Sequence, residues 1–343
     1  ASKTGDIAMR IQGKFPLKWK GQGKYFMDGS NPKMEWQGYI PNSQNPSTLN
    51  PERGFVSSAN QHPVDPSYPY YVFDNSYEHY RNRRINNRLR EMEQITVEDM
   101  KMLQFDDYNQ QASEALPIMF QYLGSHKAGT PEAEKYLKEL ADWNYEAAPN
   151  QKAQSLYSVW FAETAESIWR ELRNYEVPLV SPNSYQTIRL MADTPQDSVF
   201  DIGSTPAIET AEHHVRVGFD SLLVAMKKWE EEEGDYSWAN YKKTTIQHLV
   251  PTFKSFSVSN IYTGGGSGMV NATGSRHGAS WRMVVELGEE VQAFGIYPGG
   301  QSGNPGSKYY SNFISKWANG EYLDFNLRTL DQMEGVLFKS SLK

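Results

Sequence analysis

The sequence contains no cysteine in 343 residues. That absence excludes disulfide bridges, a thiolate nucleophile and zinc–thiolate sites. It leaves the compartment open, since an exported protein need not carry disulfides. Apolar runs are short: none approaches the roughly 18 residues that a membrane-spanning helix needs, and no secretory leader pattern is visible. Basic residues do not dominate either. Lys and Arg total 34 against 41 Asp and Glu, a formal charge of −7, which argues against the basic face that non-specific nucleic-acid binding requires. Internal repeats and low-complexity tracts are missing as well.

What is present is a globular composition, with 22 % charged and 13 % aromatic residues, including 21 Tyr and 9 Trp. Three zones follow one another. Residues 1–75 are rich in Gly, Pro and Asn, with strand-like runs at Ile7–Ile11 and Gly54–Ser57 bounded by turn signals such as Asp28-Gly29 and Asn50-Pro51. Residues 76–250 show helical periodicity: Ile85, Leu89 and Met92 share a face, Thr96 and Asp99 resemble a capping box, and Thr130-Pro131 opens a helix. Longer helices are predicted over Lys152–Arg173 and Thr210–Glu233, burying Trp160 and Trp169 in the first and Phe219 and Met226 in the second. Residues 251–343 return to Gly-rich turns and strands, chiefly Ser280–Leu287 and Ala293–Tyr297. A helical lobe between two β-rich ends predicts an α+β fold whose ends meet in one sheet system.

Several groups are candidates for chemistry. His213 and His214 lie side by side on a helix, where neighbours point to different faces and cannot share a metal. His277 stands in a loop before a strand, without a triad frame of Ser and Asp around it. The run Gly264-Gly265-Gly266-Ser267-Gly268 lacks the Lys-Ser/Thr of a phosphate loop and reads as a flexible turn. Glu230–Glu233 reads as a solvated helix end. Arg81, Arg83, Arg84, Arg88 and Arg90 crowd one helix, either as a solvated basic face or as a nucleic-acid-binding stripe, which would be isolated in an acidic chain. Asn60 is either a turn residue or a side-chain amide presented to a developing oxyanion.

Several motifs occur together in a familiar order. Thr4-Gly5-Asp6-Ile7-Ala8 with Gly13 and Pro16, Glu35-Trp36-Gln37-Gly38-Tyr39-Ile40-Pro41, and Asn50-Pro51-Glu52-Arg53-Gly54 through Ala59-Asn60-Gln61 are followed by Tyr80-Arg81 through Arg84-Ile85. Ser280-Trp281-Arg282-Met283-Val284 and Pro298-Gly299-Gly300-Gln301-Ser302-Gly303-Asn304-Pro305 close the series. Over essentially its full length the chain resembles the penicillin amidase family of N-terminal-nucleophile hydrolases. The resemblance implies the C-terminal portion of a four-layer αββα sandwich with a mostly helical lobe. It also implies linear-amide hydrolysis through an N-terminal Ser whose α-amino group serves as base. Asn60 matches the oxyanion-hole amide, and Arg84 matches an Arg that supports the nucleophile and the oxyanion.

Departures from the family pattern carry expectations too. Ala1 cannot be the nucleophile, and the family's Ser-bearing start lies ahead of the first motif. The resemblance therefore implies that the α-chain and the first part of the β-chain are partners supplied by the same precursor, and that this piece alone is inactive. Gln61 stands where the family has a second Asn, and Tyr309 where many relatives have His. No cofactor is implied. A structural calcium is implied only for the full-length protein, most ligands coming from elsewhere; Asp74 lies in the region that supplies one, with different spacing. The resemblance further implies a small acylated amide substrate and a periplasmic or secreted location. The competing reading is an aromatic-rich helical binding module for glycans or peptides, which has no reason to reproduce the ordered motifs.

Overall fold

The computed structural model describes residues 1–343 except 73–77, 128, 178, 251, 326–330, 333, 335, 337, 338, 342 and 343. The expected boundary at residue 75, the start of the last zone at 251, and Asp74 lie outside the described residues. The chain forms β1 (Ala8–Arg10) and β2 (Ser47–Leu49), then α1 (Tyr80–Glu91), α2 (Val97–Gln104), α3 (Gln110–Leu123), α4 (Pro131–Ala141) and α5 (Ala153–Trp169). It continues through α6 (Ser184–Asp193), α7 (Ala211–Glu232), α8 (Trp238–Lys242), β3 (Thr244–Ile246), β4 (Val258–Ile261), β5 (Arg282–Leu287), β6 (Val291–Ile296), α9 (Ile314–Ala318) and β7 (Leu323–Asp324). The class is α+β, as expected.

The helical lobe follows its sequence pattern closely. Thr96 Oγ1 accepts from the Asp99 amide at 3.2 Å, and Asp99 returns the bond to the Thr96 amide at 2.8 Å, the reciprocal capping box that starts α2. Pro131 occupies the first turn of α4, where its missing N–H costs nothing. α5 and α7 form the centre of the lobe. Trp160 donates to the Val215 carbonyl at 3.0 Å and meets Phe219 edge-on at 5.0 Å between ring centroids. Gly218 makes this crossing possible, because a Cβ there would sit 2.3 Å from Thr164 Oγ1. α1 departs from expectation. Ile85 and Leu89 are only half-buried, and the buried positions are Tyr80 and Asn86.

Two further readings are corrected. Gly54–Ser57 is irregular rather than a strand: it is held to α1 by side chains, with Arg53 Nη1 and Ser57 Oγ both donating to Asn86 Oδ1 at 3.3 and 3.2 Å. The backbone pairs locally instead of with a strand: Gly54 N–H donates to the Pro51 carbonyl at 2.9 Å, and the Phe55 carbonyl accepts from Arg53 Nε at 2.9 Å. The two ends also do not share a sheet among the described residues. β1 pairs antiparallel with β2, β3 with β4, and β6 stands between β5 and β7. The ends do touch, where Lys3 Nζ donates to the Glu289 carbonyl at 3.1 Å beside the β5–β6 turn.

A buried polar cage joins the lobe to the C-terminal zone. Asn271 donates through Nδ2 to Asp107 Oδ1 at 2.8 Å, while its Oδ1 accepts from Thr273 Oγ1 at 2.7 Å and Arg282 Nη2 at 2.9 Å. Lys242 at the end of α8 is buried and donates to the carbonyls of Gly264, Gly265 and Thr273 at 2.5, 3.1 and 2.9 Å. The glycine run is therefore no flexible turn: Gly264, Gly265 and Gly266 are buried against the cage. A Cβ on Gly264 would lie 2.0 Å from Asp107 Oδ2, and Gly265 adopts a left-handed φ of 73° with a Cβ position 2.2 Å from the Asn271 carbonyl. Burial pushes Asp107 up to about 7, against the Asn271 hydrogen bond and the Lys242 charge. It likewise pushes Lys242 down to about 7, against the Asp107 charge.

The histidine pair resolves into one exposed and one structural residue. His213 is exposed, whereas His214 is buried with Nε2 at 2.7 Å from the Phe200 carbonyl and Nδ1 at 2.8 Å from Ser167 Oγ. Because the carbonyl can only accept, Nε2 carries the proton and Nδ1 accepts from Ser167. Burial holds His214 below the ordinary histidine value, with the Phe200 carbonyl opposing. The unfolded chain therefore binds a proton near pH 6.5 before the folded one does. Stability is full above that pH and falls as the pH drops below it, by at most about 1.4 kcal/mol per pH unit. Asp107 and Lys242 titrate in the same window, so the test is the difference between two proteins: in urea titrations between pH 7.5 and 5, the stability of the native chain relative to His214→Gln should decline as the pH falls below about 6.5. The glycine cage gives a second expectation. Gly264→Ala should destabilise the protein by about 1–3 kcal/mol through overpacking. Gly203→Ala, whose added Cβ meets nothing within 4 Å, should be near neutral in the same titration.

Candidate active site

Asn60 lies at the surface in a turn, with a left-handed φ of 56° that Asn tolerates better than most residues. The turn is closed locally. Gln61 accepts the Ala59 amide on Oε1 at 2.7 Å, so the residue replacing the family's second Asn serves the backbone of this turn. On the other side Arg81, in the first turn of α1, donates from Nη2 to Asn60 Oδ1. That bond fixes which end of the amide faces the helix. The carbonyl is turned to the guanidinium, which leaves the Nδ2 protons for another acceptor. The anchor beneath is Asn86, which holds Arg53 and Ser57 to α1 and so sets the height of the 53–61 loop over Arg81.

Arg84 does different work. Its Nε lies 3.1 and 3.0 Å from the two Asp106 carboxylate oxygens, and its Nη2 lies 2.7 Å from Oδ2, a two-pronged ion pair. The guanidinium also stacks 4.2 Å above the Tyr108 ring. With side chains only 20 % and 12 % exposed, this pair is largely shielded from solvent. Burial opposes the charge on Arg84, but the Asp106 hydrogen bonds and charge outweigh it and hold its pKa above the ordinary value. Asp106 in turn offers its backbone carbonyl to the Asn271 amide at 2.9 Å, which ties α1 to the buried cage. The structure thus brings Asn60 together with Arg81, a residue that motif matching passed over, while Arg84 is taken up by Asp106. One helical turn separates the two roles, and no local sequence signal distinguishes them.

The remaining cations are peripheral. Arg83 pairs with Glu114 at 2.5 Å, and Arg88 with Glu91 on the same helix at 2.8 Å. Of the acidic run, Glu230 binds Lys135 and accepts from Tyr136 Oη at 2.6 Å, and Glu233 pairs with Lys243 at 2.8 Å. His277 is exposed and lines, with Arg81, Ser280 and Trp281, a hollow of ≈ 500 Å³. A second hollow of ≈ 650 Å³ lies on the other side of the Asn60 turn, lined by Met9, Ile11, Arg53, Ser58 and Gln61. Tyr309 is half-buried in its turn, with its carbonyl 2.0 Å from where a Gly300 Cβ would be. Among the described residues no group of three or more acidic or histidine side chains could hold a metal ion. None of the described helices is long and apolar enough to cross a membrane.

The acyl-homoserine lactone acylase QuiP of Pseudomonas syringae pv. tomato is 23 % identical over 371 aligned positions, covering 97 % of this chain and 44 % of the relative. QuiP of Pseudomonas aeruginosa is 21 % identical, covering 96 % and 44 %. The penicillin acylase 2 proenzyme of a Pseudomonas species is 24 % identical over 46 % of this chain and 20 % of the relative. The chain spans less than half the length of these curated relatives. Among solved structures, the thermostable penicillin G acylase from Alcaligenes faecalis superimposes with a TM-score of 0.59 at 16 % identity, over 100 % of this chain and 66 % of that one, and shares its fold. The penicillin amidase family profile matches residues 1–332, and with a match of that extent the chain belongs to the penicillin amidase family.

Proposed function

We propose that this chain is the C-terminal part of an amidohydrolase that cleaves a small acylated amide, of the penicillin or acyl-homoserine-lactone type, through an acyl-enzyme. The nucleophile is an N-terminal Ser that autoproteolytic processing exposes elsewhere in the same precursor. The α-chain and the first part of the β-chain are the obligate partners, and the processed enzyme works in the periplasm or outside the cell. The observation that carries this reading is the Asn60–Arg81 pair, an exposed amide whose carbonyl end is clamped so that its N–H end is left to donate.

In this reading the Ser hydroxyl attacks the substrate carbonyl and passes its proton to the Ser α-amine, which titrates near 7.7–8 and can accept it at neutral pH. The carbonyl oxygen becomes an oxyanion and receives a hydrogen bond from Asn60 Nδ2. Collapse expels the amine, which takes up the proton, and water then releases the acid. Arg81 orients the Asn60 amide. Arg84 supports the same region at one remove, by holding Asp106 and with it the start of α1 against the buried cage.

Two expectations follow from this division of roles. Produced alone, the chain should hydrolyse no phenylacetyl amide, β-lactam side-chain amide or acyl-homoserine lactone, and activity should appear when the precursor's remaining segments are supplied. Active-site-titratable turnover by the isolated chain would overturn the assignment of the nucleophile. In the processed enzyme, Asn60→Ala should lower kcat by about 10²–10³ with little change in KM, since the donor acts on charge that develops in the transition state. Arg81→Ala should cost kcat less, about tenfold, as the amide loses its orientation. Arg84→Ala should lower activity together with stability, by about 1–3 kcal/mol, because Asp106 is left shielded and unpaired, and Arg88→Ala should be nearly silent. Steady-state kinetics with calorimetry on the four variants separates these roles; near-normal kcat in Asn60→Ala would remove Asn60 from the oxyanion hole.

A further inference from the structure

A hollow of ≈ 710 Å³ opens where α7 and α8 meet the β3–β4 pair, and it shares no lining residue with the two hollows beside the Asn60 turn. Strand alternation makes its floor. Ile246 and Val258 are register partners that pack on the apolar cluster around Ile261 and Trp317. Their neighbours, Thr245 and Gln247 at β3 with Ser257 and Ser259 at β4, therefore face the other way and line the hollow. Ser257 Oγ accepts the His248 amide at 3.0 Å, which leaves its hydroxyl proton to donate. His248 keeps a donor too: Nδ1 accepts the Val250 amide at 3.1 Å, so in the neutral ring the proton sits on Nε2.

Cations stand on several sides of this floor. Lys243 follows α8, Lys254 belongs to the β3–β4 connection, and Arg276 belongs to the loop before β5. All three are exposed and line the hollow, and no Asp or Glu lines it among the described residues. That concentration of one sign lies in a chain of net charge −7. Lys243 pairs with Glu233 at 2.8 Å, whereas neither Lys254 nor Arg276 has a side-chain partner among the described residues. On the helical lobe, by contrast, Arg189 pairs with Asp193 and Arg216 with Glu212. Lys243 also holds a left-handed φ of 50°, just after a helix, where Gly is the ordinary choice. The strained backbone sets its ammonium 4.9 Å above the Trp229 ring, on the wall of the hollow.

We propose that this hollow is a binding site for a phosphate group, carried either by a small soluble phosphate compound or by a lipid headgroup. A phosphate supplies negative charge to Lys254 and Arg276, and enough acceptor oxygens to take hydroxyl, imidazole and guanidinium protons at once. A carboxylate, with its two oxygens, leaves part of that donor set unmet. The site is separate from amide hydrolysis and does not depend on the role of Asn60. The two sources make different use of the surroundings. A bilayer presents phosphate above an apolar interior, and the loop that carries Lys254 also exposes Leu249 at 98 % and Phe253 at 49 %. A soluble phosphate compound uses the hollow alone.

The test uses the processed full-length enzyme. Inorganic pyrophosphate in titration calorimetry is the soluble probe, and phosphatidylcholine vesicles with and without phosphatidylglycerol, in a sedimentation assay, are the lipid probe. Lys254→Gln and Arg276→Gln should each weaken binding by about tenfold, the loss expected for one charge-assisted hydrogen bond. Arg189→Gln, on α6 outside the hollow, should change it by less than about twofold. Lys243→Gly should weaken binding and yet keep or raise Tm, because it removes a cation and relieves the left-handed backbone together. Pyrophosphate binding with this pattern assigns the site to soluble phosphates. Binding confined to the phosphatidylglycerol vesicles, with the same pattern and a further loss in Leu249→Ser, assigns it to a lipid headgroup. Failure of both probes to bind overturns the site, as when another segment of the precursor fills the hollow. Native affinity in both Lys254→Gln and Arg276→Gln overturns it too. So does equal weakening in Arg189→Gln, since the attraction would then come from net charge alone.

Discussion

Asn271 is the point on which the arrangement around the site depends. Its side chain holds Asp107, Thr273 and Arg282, and its backbone bonds Asp106 and Gly266. The 106–107 stretch and the 266–282 stretch, far apart in sequence, are thereby locked into one buried cluster, with Lys242 closing it from α8. Such a cluster is stable only when complete. Each buried charge is costly to leave unpaired, and its value lies in fixing one geometry more than in adding net stability. The short, buried glycines are a consequence: only residues without a Cβ let the 264–266 backbone lie this close to Asp107 and Asn271.

From this cage the order extends outward in two directions. Through Asp106 and Arg84 it reaches α1, and α1 carries Arg81 to Asn60 while Asn86 fixes the loop that bears Asn60. Through Gly265 and Trp238 it reaches the glycine loop, whose Ser267 lines the hollow beside Arg81 and a further one bordered by α5. The Asn60 amide and the glycine loop are thus positioned by the same buried network, one from each side. A surface amide in a turn would otherwise lose its orientation to solvent and to rotation about its side-chain bonds.

Local pattern was a good guide wherever a structural feature is closed within a few residues. The capping box at Thr96 and Asp99, the Pro131 start of α4, and the apolar stripes of α5 and α7 all form as read, because 3.6-residue periodicity over seventeen residues or more leaves little ambiguity. It was a poor guide to Gly54–Ser57, where a segment of strand composition is held to α1 through Ser57 and the adjoining Arg53 instead of pairing with a neighbouring strand. It misjudged the glycine run as well, since composition alone cannot tell a mobile turn from a backbone pressed against buried charges.

What the sequence by itself determined is the set of ingredients: an α+β chain, a helical lobe with known cores, and motifs in family order that brought Asn60 and the Arg81–Arg84 stretch into view. What only the tertiary structure decided is which arginine meets the amide and what holds them there. Arg81 and Arg84 differ by about one turn of the same helix and have the same chemistry. Their roles are set by Asn60 on one side and Asp106 on the other, 21 and 22 residues away in sequence. The Asn271–Asp107 bond spans 164 residues, and no local propensity encodes a contact of that separation. Its partners become legible only when packing of the whole chain has removed the water between them.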